Sequence, residues 1–573
     1  MNGFIIKISI NNINFSNTHF IWKQPFDFQG LYFKRCCEGL NYQIEQFTSQ
    51  KFKNHKNWIE TTDFLFLTEG IILNLTDLCK NNQVTDVENL ILKYHKEKKY
   101  NFFSEFEGNF VGIFHDKNTN TWTAFNNKTG MKKLFYFQNS DFVIFGTDLK
   151  SITECLKSLK IRFSLCEEAA YLLLTSGFMQ ENLTLINEVK QLRAGEFCNF
   201  KDANLYVDSY FNLKNIAETI DSKDDIIIKL NDLFINAVRL EFEFDKTNNY
   251  RHLTTLSGGL DSRMTALIAH KMGYKNQILL NFSEKGYADE IIAKQIAKDF
   301  NIELIQTEIS AQSLAAIDEV VSVNDGLILY SGCSHVFSIL NNLMSEKDCI
   351  LHTGMIGDAV MGSFVSLISE VKPHILDGLN SRTLLNKSED FLIKSMKNYP
   401  TEELYKFYNR AFLGANSGFQ YFDLIGESTS PFLNSEFMSY AYSIPRKYKY
   451  KEKIYIDWIK TLHPDIANYT WESIGGKPTN NKLSRNLYKY KRAIIKRLPI
   501  KTMWKNTMSP EQLWYDKNID VKNKLDIYYA KNINLLFEYL ELKEDLIKLY
   551  ETGNITEKTQ VLTLLSAYKL LFV

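Results

Sequence analysis

The chain has 573 residues, 45% of them hydrophobic and 14% aromatic. That is material for roughly two to four domains and excludes a globally disordered protein. Lys+Arg and Asp+Glu balance at 67 each, which excludes a dedicated nucleic-acid-coating protein and leaves only a local basic patch open. Eight cysteines (Cys36, Cys37, Cys79, Cys155, Cys166, Cys198, Cys333 and Cys349) are scattered without a CxxC pair. They read as reduced thiols of a cytoplasmic protein, and no His/Cys grouping has zinc spacing.

Residues 1–15 alternate Ile with polar residues and carry one lysine, Lys7, a strand pattern and not a signal peptide. Segments 6–10 and 122–125 alternate in the same way. Segments 64–67 and 110–114 are short apolar runs, expected of strands buried on both faces. A turn at 116–120 follows, then a hairpin pair at 134–137 and 142–145. Helices are expected at 87–100 and 167–175, and strands within 196–210. The first third therefore reads as α+β with stacked antiparallel sheets. From 222 the pattern changes. A helix over 224–242 leads into strand 253–256, helix 262–272, strand 277–282, helix 288–300, strand 303–309 and, after further helices, strand 348–352. This βα alternation predicts a parallel sheet with helices on both faces. From 401 onward the chain reads as mainly helical. The longest apolar run, 561–573, carries Lys569 and falls short of the roughly 20 residues that span a bilayer, so no membrane insertion is expected. The stretch 477–505 holds Lys477, Lys482, Arg485, Lys489, Lys491, Arg492, Lys496, Arg497, Lys501 and Lys505 and no acid. It reads as a solvated helix face or as a docking surface for an anionic substrate.

The sharpest chemical signal is Leu256-Ser257-Gly258-Gly259-Leu260-Asp261-Ser262-Arg263, between an apolar strand and a helix with Met264, Leu267, Ile268 and Met272 as its buried stripe. Two glycines permit a tight turn and close approach of backbone to a phosphate. Ser257 and Ser262 set hydroxyls beside the free N–H groups of a helix start, a ready anion site. Asp261 cannot hold phosphate itself and fits a Mg²⁺ ligand. The spacing is neither GxxxxGK[ST] nor GxGxxG.

This run resembles the SGGxDS pyrophosphate loop of the PP-loop ATP pyrophosphatases, and the chain as a whole is similar to the asparagine synthetase B family. Leu279-Leu280-Asn281-Phe282-Ser283 resembles the next strand, whose end, Phe282 here, touches adenine in that family, and Asp289 opens a segment that also matches. Thr353-Gly354-Met355-Ile356-Gly357-Asp358-Ala359-Val360-Met361-Gly362 resembles SGxGxDExxGG, which implies Asp358 as a second Mg²⁺ ligand. Gly426-Glu427-Ser428-Thr429-Ser430-Pro431-Phe432-Leu433-Asn434 resembles GxExRxPFLD, and the region of Lys451, Lys453 and Pro464 resembles the part that supplies a lysine to the intermediate. Further upstream, 106–116, 127–136, 145–150 and 192–196 resemble GxFAxxxxD, RDxxGxxPLYY, FASELK and LPPGE of a glutamine amidotransferase domain. The resemblance implies two domains, 1–212 (amidotransferase-like, Ntn-hydrolase-like) and 213–573 (a synthetase domain of the adenine nucleotide alpha hydrolase type).

Three departures stand out. Where glutamine-dependent members have a cysteine after Met, this chain has Asn2, which offers no nucleophile, and Thr68-Glu69-Gly70-Ile71 stands where NGE would be. Met355 replaces a Glu associated with ammonia handling, and Ala359 replaces the Glu after the metal-binding Asp. These changes resemble the drift in β-lactam synthetases, lasso-peptide cyclases and polysaccharide-amidating relatives.

The resemblance thus implies an ATP- and Mg²⁺-dependent ligase without its own glutaminase. It would adenylate a small-molecule, peptide or saccharide carboxylate, release pyrophosphate and form an amide with an amine or ammonia. Leu256, Ser257, Gly258, Gly259, Asp261, Ser262, Phe282, Thr353 and Gly354 would hold ATP, and Asp261 and Asp358 the metal. Lys453 or Lys451 would stabilise the oxyanion, and Glu427 would position the amine or act as base, unless it is a structural carboxylate. Two other readings stay open. One is a nucleotide-binding pseudoenzyme or partner module; the other is a PP-loop sulfurtransferase using Cys333 or Cys349.

Overall fold

The computed structural model describes residues 2–11, 15, 32–343, 349–369, 371–424, 426–480, 487 and 510–573. Two antiparallel sheets form the N-terminal third. The first runs in the order β10 (Val189–Gln191), β8 (Phe135–Gln138), β9 (Phe142–Gly146), β1 (Gly3–Ser9), β3 (Tyr42–Ser49), β2 (Tyr32–Glu38). The second runs β12 (Asn204–Ser209), β11 (Glu196–Lys201), β7 (Thr121–Asn126), β6 (Gly108–Asp116), β5 (Phe64–Ile72), β4 (Trp58–Glu60).

Strand alternation explains the layering. Phe4, Ile6 and Ile8 of β1 meet Leu65, Leu67, Val111 and Ile113 between the sheets. The opposite phase of β5 and β6 (Phe64, Phe66, Phe110, Phe114) packs on Leu90, Ile91 and Tyr94 of the helix Val87–Lys96. Ile5 and Ile144 face the helix Leu149–Ser158 through Ile152 and Leu156. The result is a helix–sheet–sheet–helix stack, each sheet buried on both faces.

The C-terminal part is built on a five-stranded parallel sheet, in the order β15 (Glu303–Glu308), β14 (Gln277–Ser283), β13 (Arg251–Thr255), β16 (Cys349–His352), β17 (Glu427–Thr429). Connections from β13 run outward one way through β14 and β15, and then the other way through β16 and β17. The strand order therefore reverses between β13 and β16, the place where such sheets bind ligands at their carboxyl ends. Helices cover the sheet, among them Lys223–Thr247, capped by the Ser222 hydroxyl accepting from the Asp225 N–H. Most of the apolar stretch 561–573 forms the end of the helix Ile555–Phe572, with Val561, Leu562, Leu564, Leu565 and Leu571 buried in the largest core. Among the described residues, no helix is long and apolar enough to cross a membrane.

Some elements differ from expectation. The helix expected over 224–242 continues to Thr247, because Asp245 is buried against His252 and His352. The helix expected over 87–100 stops at Lys96, where Glu97 caps it and Lys98 adopts a positive φ. The region after 401 contains β17, and its chain over Phe407–Gly414 winds as a π-helix before tightening to 3₁₀ turns over Ala415–Leu424. Of the basic stretch, Lys477 donates to the Asn468 side chain; Lys482 through Lys505 lie outside the described residues.

The two parts meet through buried ions. Glu427 of β17 pairs with Lys56 and with Lys132 (3.0 Å); Lys56 also meets Glu69 (2.8 Å) and Lys132 meets Asp423 (2.8 Å). Next to this network Lys133 is 3% exposed and donates to the carbonyls of Gly130 and Phe412, both at 3.1 Å. Burial pushes its pKa down to about 7. Between that value and the unfolded lysine's, the unfolded chain binds more protons, so this residue makes stability rise with pH. Lys133→Met should therefore be more stable than the parent at pH 7. The gap should shrink toward pH 9.5 by up to about 1.4 kcal/mol per pH unit, measured by urea unfolding of both proteins at each pH.

Candidate functional site

The loop after β13 is held from three sides. The Ser257 N–H donates to Ser262 Oγ (3.0 Å), the two hydroxyls lie 3.0 Å apart, and the Gly259 N–H donates to Ser257 Oγ (3.1 Å). Asp289, at the start of the helix Ala288–Phe300, accepts the Gly258 N–H. There is no room for a side chain at Gly258: a Cβ would lie 2.8 Å from both the Asp289 carboxylate and Glu472 Cβ. Behind the loop Arg263 is fully buried. It donates to the carbonyls of Gly258 (3.0 Å), Thr470 (2.7 Å) and Tyr469 (3.3 Å). Desolvation lowers its pKa to about 10.

The second loop follows β16, on the other side of the reversal. Thr353 donates through N–H and hydroxyl to the Thr429 carbonyl, both at 2.9 Å, and Thr265 of the first helix donates to the Thr353 carbonyl at 3.1 Å. The loops touch backbone to backbone. A Cβ on Gly354 would fall 2.2 Å from the Ser262 nitrogen, and one on Gly357 2.7 Å from Asp261 Cγ. Ile356 between them has φ +65°, a strained value for a β-branched residue. Below the loop, His352 faces Asp245 (2.7 Å) and Glu241 (3.0 Å), and Asp245 also faces His252 (3.0 Å). Burial raises Asp245 to about 7. This buried chain of acids and imidazoles, which no sequence spacing announces, braces the ends of β13 and β16.

The two carboxylates expected as metal ligands come together. The Asp358 N–H donates to Asp261 Oδ2 at 3.1 Å, and Tyr455 donates its hydroxyl to Asp261 Oδ1 at 2.8 Å. Burial, then the Asp358 charge, raises the Asp261 carboxyl well above its ordinary value. A hard divalent cation is the species that relieves such a pair, so the oxygen donor set fits Mg²⁺.

These groups open on one cavity of about 600 Å³, lined by Leu256, Ser257, Gly259, Asp261, Ser262, Phe282, Thr353 and Gly354. Gly258 supports it from behind. Lys451 and Lys453 do not line the cavity; both are exposed on a turn in which Lys451 and Glu452 take φ of +57° and +55°. The Glu452 charge reaches Asp261, so the turn adjoins the site. Glu427 lies elsewhere, 1% exposed in the ion network between the two parts. Burial alone would raise its carboxyl, but Lys132 and Lys56 outweigh that and hold it low. This geometry suits a structural carboxylate and gives Glu427 no contact with the cavity. Cys333 lines the cavity, its thiol pushed up to about 12 by burial; Cys349 does not line it. Asn2 clamps the parts together, donating to the Asp423 carbonyl (3.1 Å) and accepting the Ser49 N–H (2.9 Å). Arg263 and Tyr455 carry no expected role in the sequence; a charged residue inside an apolar helix stripe is the only signal either leaves.

Residues 65–211 match the family model for a glutamine amidotransferase domain, and residues 229–366 that for asparagine synthase. The chain is 24% identical over 233 residues to asparagine synthetase [glutamine-hydrolyzing] 1 of Bacillus subtilis (strain 168); the match spans 40% of this chain and 35% of that protein. Among solved structures, an allosteric regulatory enzyme of purine biosynthesis aligns over 66% of this chain and 80% of its own, at 10% identity and a TM-score of 0.22. The glutamine phosphoribosylpyrophosphate amidotransferase of B. subtilis aligns over 66% and 81%, at 11% and 0.21.

Because the loops leave no space at Gly354, Gly354→Ala should push them apart. Binding of a non-cleavable ATP analogue, followed by calorimetry, should weaken at least about tenfold, or about 1.4 kcal/mol, while far-ultraviolet circular dichroism stays unchanged.

Proposed function

From the premise that the chain belongs to the asparagine synthetase family, with an amidotransferase-like N-terminal domain, we propose that it is an ATP-dependent ligase that joins a carboxylate to an amine or ammonia. The observation that carries this reading is the contact between the two loops, which sets the partly buried Asp261, in the cavity lining, beside the exposed Asp358.

ATP, as substrate, would lay its phosphates along 257–262, with the N–H groups at the start of the helix Asp261–Lys271 facing the anion and Phe282 beside the base. Asp261 and Asp358 would hold Mg²⁺, which would supply charge neutralisation to the departing pyrophosphate. A substrate carboxylate oxygen attacks the α-phosphorus, the bond to the β-phosphate oxygen breaks, and pyrophosphate leaves. An amine nitrogen then attacks the acyl carbon of the mixed anhydride, loses a proton, and expels AMP. Lys453 or Lys451, from the turn beside Asp261, would stabilise the oxyanion. Glu427 would act at a distance, by holding β17 and with it Thr429, which anchors Thr353.

In this reading the N-terminal domain releases no ammonia from glutamine. Asn2 brings an amide where a nucleophile is required, and Glu69 is bound to Lys56. The nitrogen comes from free ammonia or from an amine on a substrate, and the protein works in the cytoplasm. The sulfur-transfer reading is disfavoured by a cavity thiol that stays protonated at neutral pH. The pseudoenzyme reading is disfavoured by two carboxylates kept together against their repulsion.

Calorimetry with an ATP analogue blocked between the α- and β-phosphorus should show Mg²⁺-dependent binding that Asp261→Ala abolishes. No binding to folded parent protein would overturn the ligase reading. Incubation with glutamine should yield no glutamate above background, with or without ATP and Mg²⁺; steady glutamate release would show that the N-terminal domain is active after all.

A further inference from the structure

The cavity extends well past the groups assigned above, and its far part has an order that contacts define. Arg410, Gly414 and Gly418 lie four residues apart along one stretch of chain and all line it. Gly418 sits under Met355, next to the Thr353–Gly354 pair: a Cβ there would meet Met355 Cε at 3.2 Å. At Gly414 a Cβ would meet the Phe178 ring at 3.2 Å, and Phe178 in turn lies over Gly378, beside the Arg410 stem. The two glycines thus keep open an apolar trough that runs from the phosphate loop to Arg410. The backbone carrying Arg410 and Gly414 is the π-helix Phe407–Gly414, a rare winding that is frequently found at functional sites.

At the end of that trough Arg410 is exposed and, among the described residues, forms no ion pair. The acids near it are held by other cations. Asp377 and Glu402 meet Lys406 (3.2 and 3.1 Å), Glu402 also meets Arg446 (2.7 Å), and Glu403 meets Lys449 (2.7 Å). The guanidinium rests 5.9 Å above the Phe364 ring, and Asn380 lines the same end of the cavity. A planar fork of donors without a counter-ion, at the mouth of an apolar trough, is suited to a carboxylate or phosphate.

We propose that Arg410 binds a second anionic group on the acid whose carboxylate is activated, so that the substrate class is a dianionic acid with an apolar middle. The proposal rests on the ligase reading and adds its substrate class. The activated carboxylate lies at the phosphate loop, the apolar body in the Gly414–Gly418 trough, and the distal anion on Arg410.

The test is pyrophosphate–ATP exchange with Mg²⁺ and matched pairs of unbranched acids, the dicarboxylates succinate to sebacate against monocarboxylates of equal length. At least one diacid should exchange with a KM tenfold or more below its monoacid. Arg410→Met should raise that KM at least tenfold and leave the monoacid unaffected, with Arg410→Lys partly restoring it. In parallel, phenylglyoxal labelling of Arg410, read by mass spectrometry, should be slowed by the diacid and not by the monoacid. Equal KM values, or a diacid preference that survives in Arg410→Met, would overturn the proposal. So would absence of exchange with every diacid in a preparation that binds the ATP analogue, and the nucleotide site would then stand without it. A preparation that binds no analogue would overturn both.

Discussion

Gly354 and Gly357 lie so close to Ser262 and Asp261 that the two loops share one backbone surface, and every other feature of the site follows from that approach. The loops come from β13 and β16, neighbours in the sheet though nearly a hundred residues apart in sequence. Their approach brings the Asp358 N–H onto the Asp261 carboxylate and so fixes two acids together. It also fixes the floor of the cavity. The surroundings maintain the approach rather than create it. Arg263 ties the first loop to 469–470, Thr429 ties the second to β17, and the Glu241–His352–Asp245–His252 chain braces the strands beneath.

The ions between the two parts have a related role. Glu427 sits on β17, whose Thr429 anchors Thr353, and its carboxylate is neutralised by lysines of the amidotransferase-like domain. The N-terminal domain thereby supports the cavity wall of the synthetase part through side chains that never enter it. Removing one member of such a network leaves uncompensated buried charge, which costs far more than the intact network contributes. The network binds the amidotransferase-like domain tightly to its neighbour whatever chemistry that domain performs.

Much of this was legible from residues alone. Helices Glu167–Thr175 and Ala288–Phe300 stand where apolar periodicity places them, because acids at their starts and an apolar stripe mark both. The glycine-rich signature is local in sequence, and the structure sets Leu256, Ser257, Gly259, Asp261 and Ser262 along one cavity with Gly258 behind it. What was illegible depends on tertiary partners. β2 carries Lys34, Arg35 and Glu38 and gains its strand form only by pairing with β3. β17 is three residues long and exists because β16 lies beside it. The helix from Lys223 runs past its apolar stripe because Asp245 finds two histidines. Arg410 has no motif at all; topology alone delivers it to the cavity, and Lys451 and Lys453 show the converse, a motif-like region whose side chains end up outside the lining.

The helix Ile555–Phe572 packs against the helix Glu167–Thr175, its Gln560 donating to the Leu173 carbonyl at 3.2 Å, and the same core cluster contains both Ile5 and Leu571. At ribosomal speeds of about 5–20 residues per second, the interval between making these two residues is on the order of half a minute to two minutes. The two N-terminal sheets themselves close only once β12 (Asn204–Ser209) has been made, and from then until the final helix follows they lack their last apolar cover. A chain still being made therefore exposes an apolar face until its final helix arrives, the kind of surface that makes unfinished chains prone to associate.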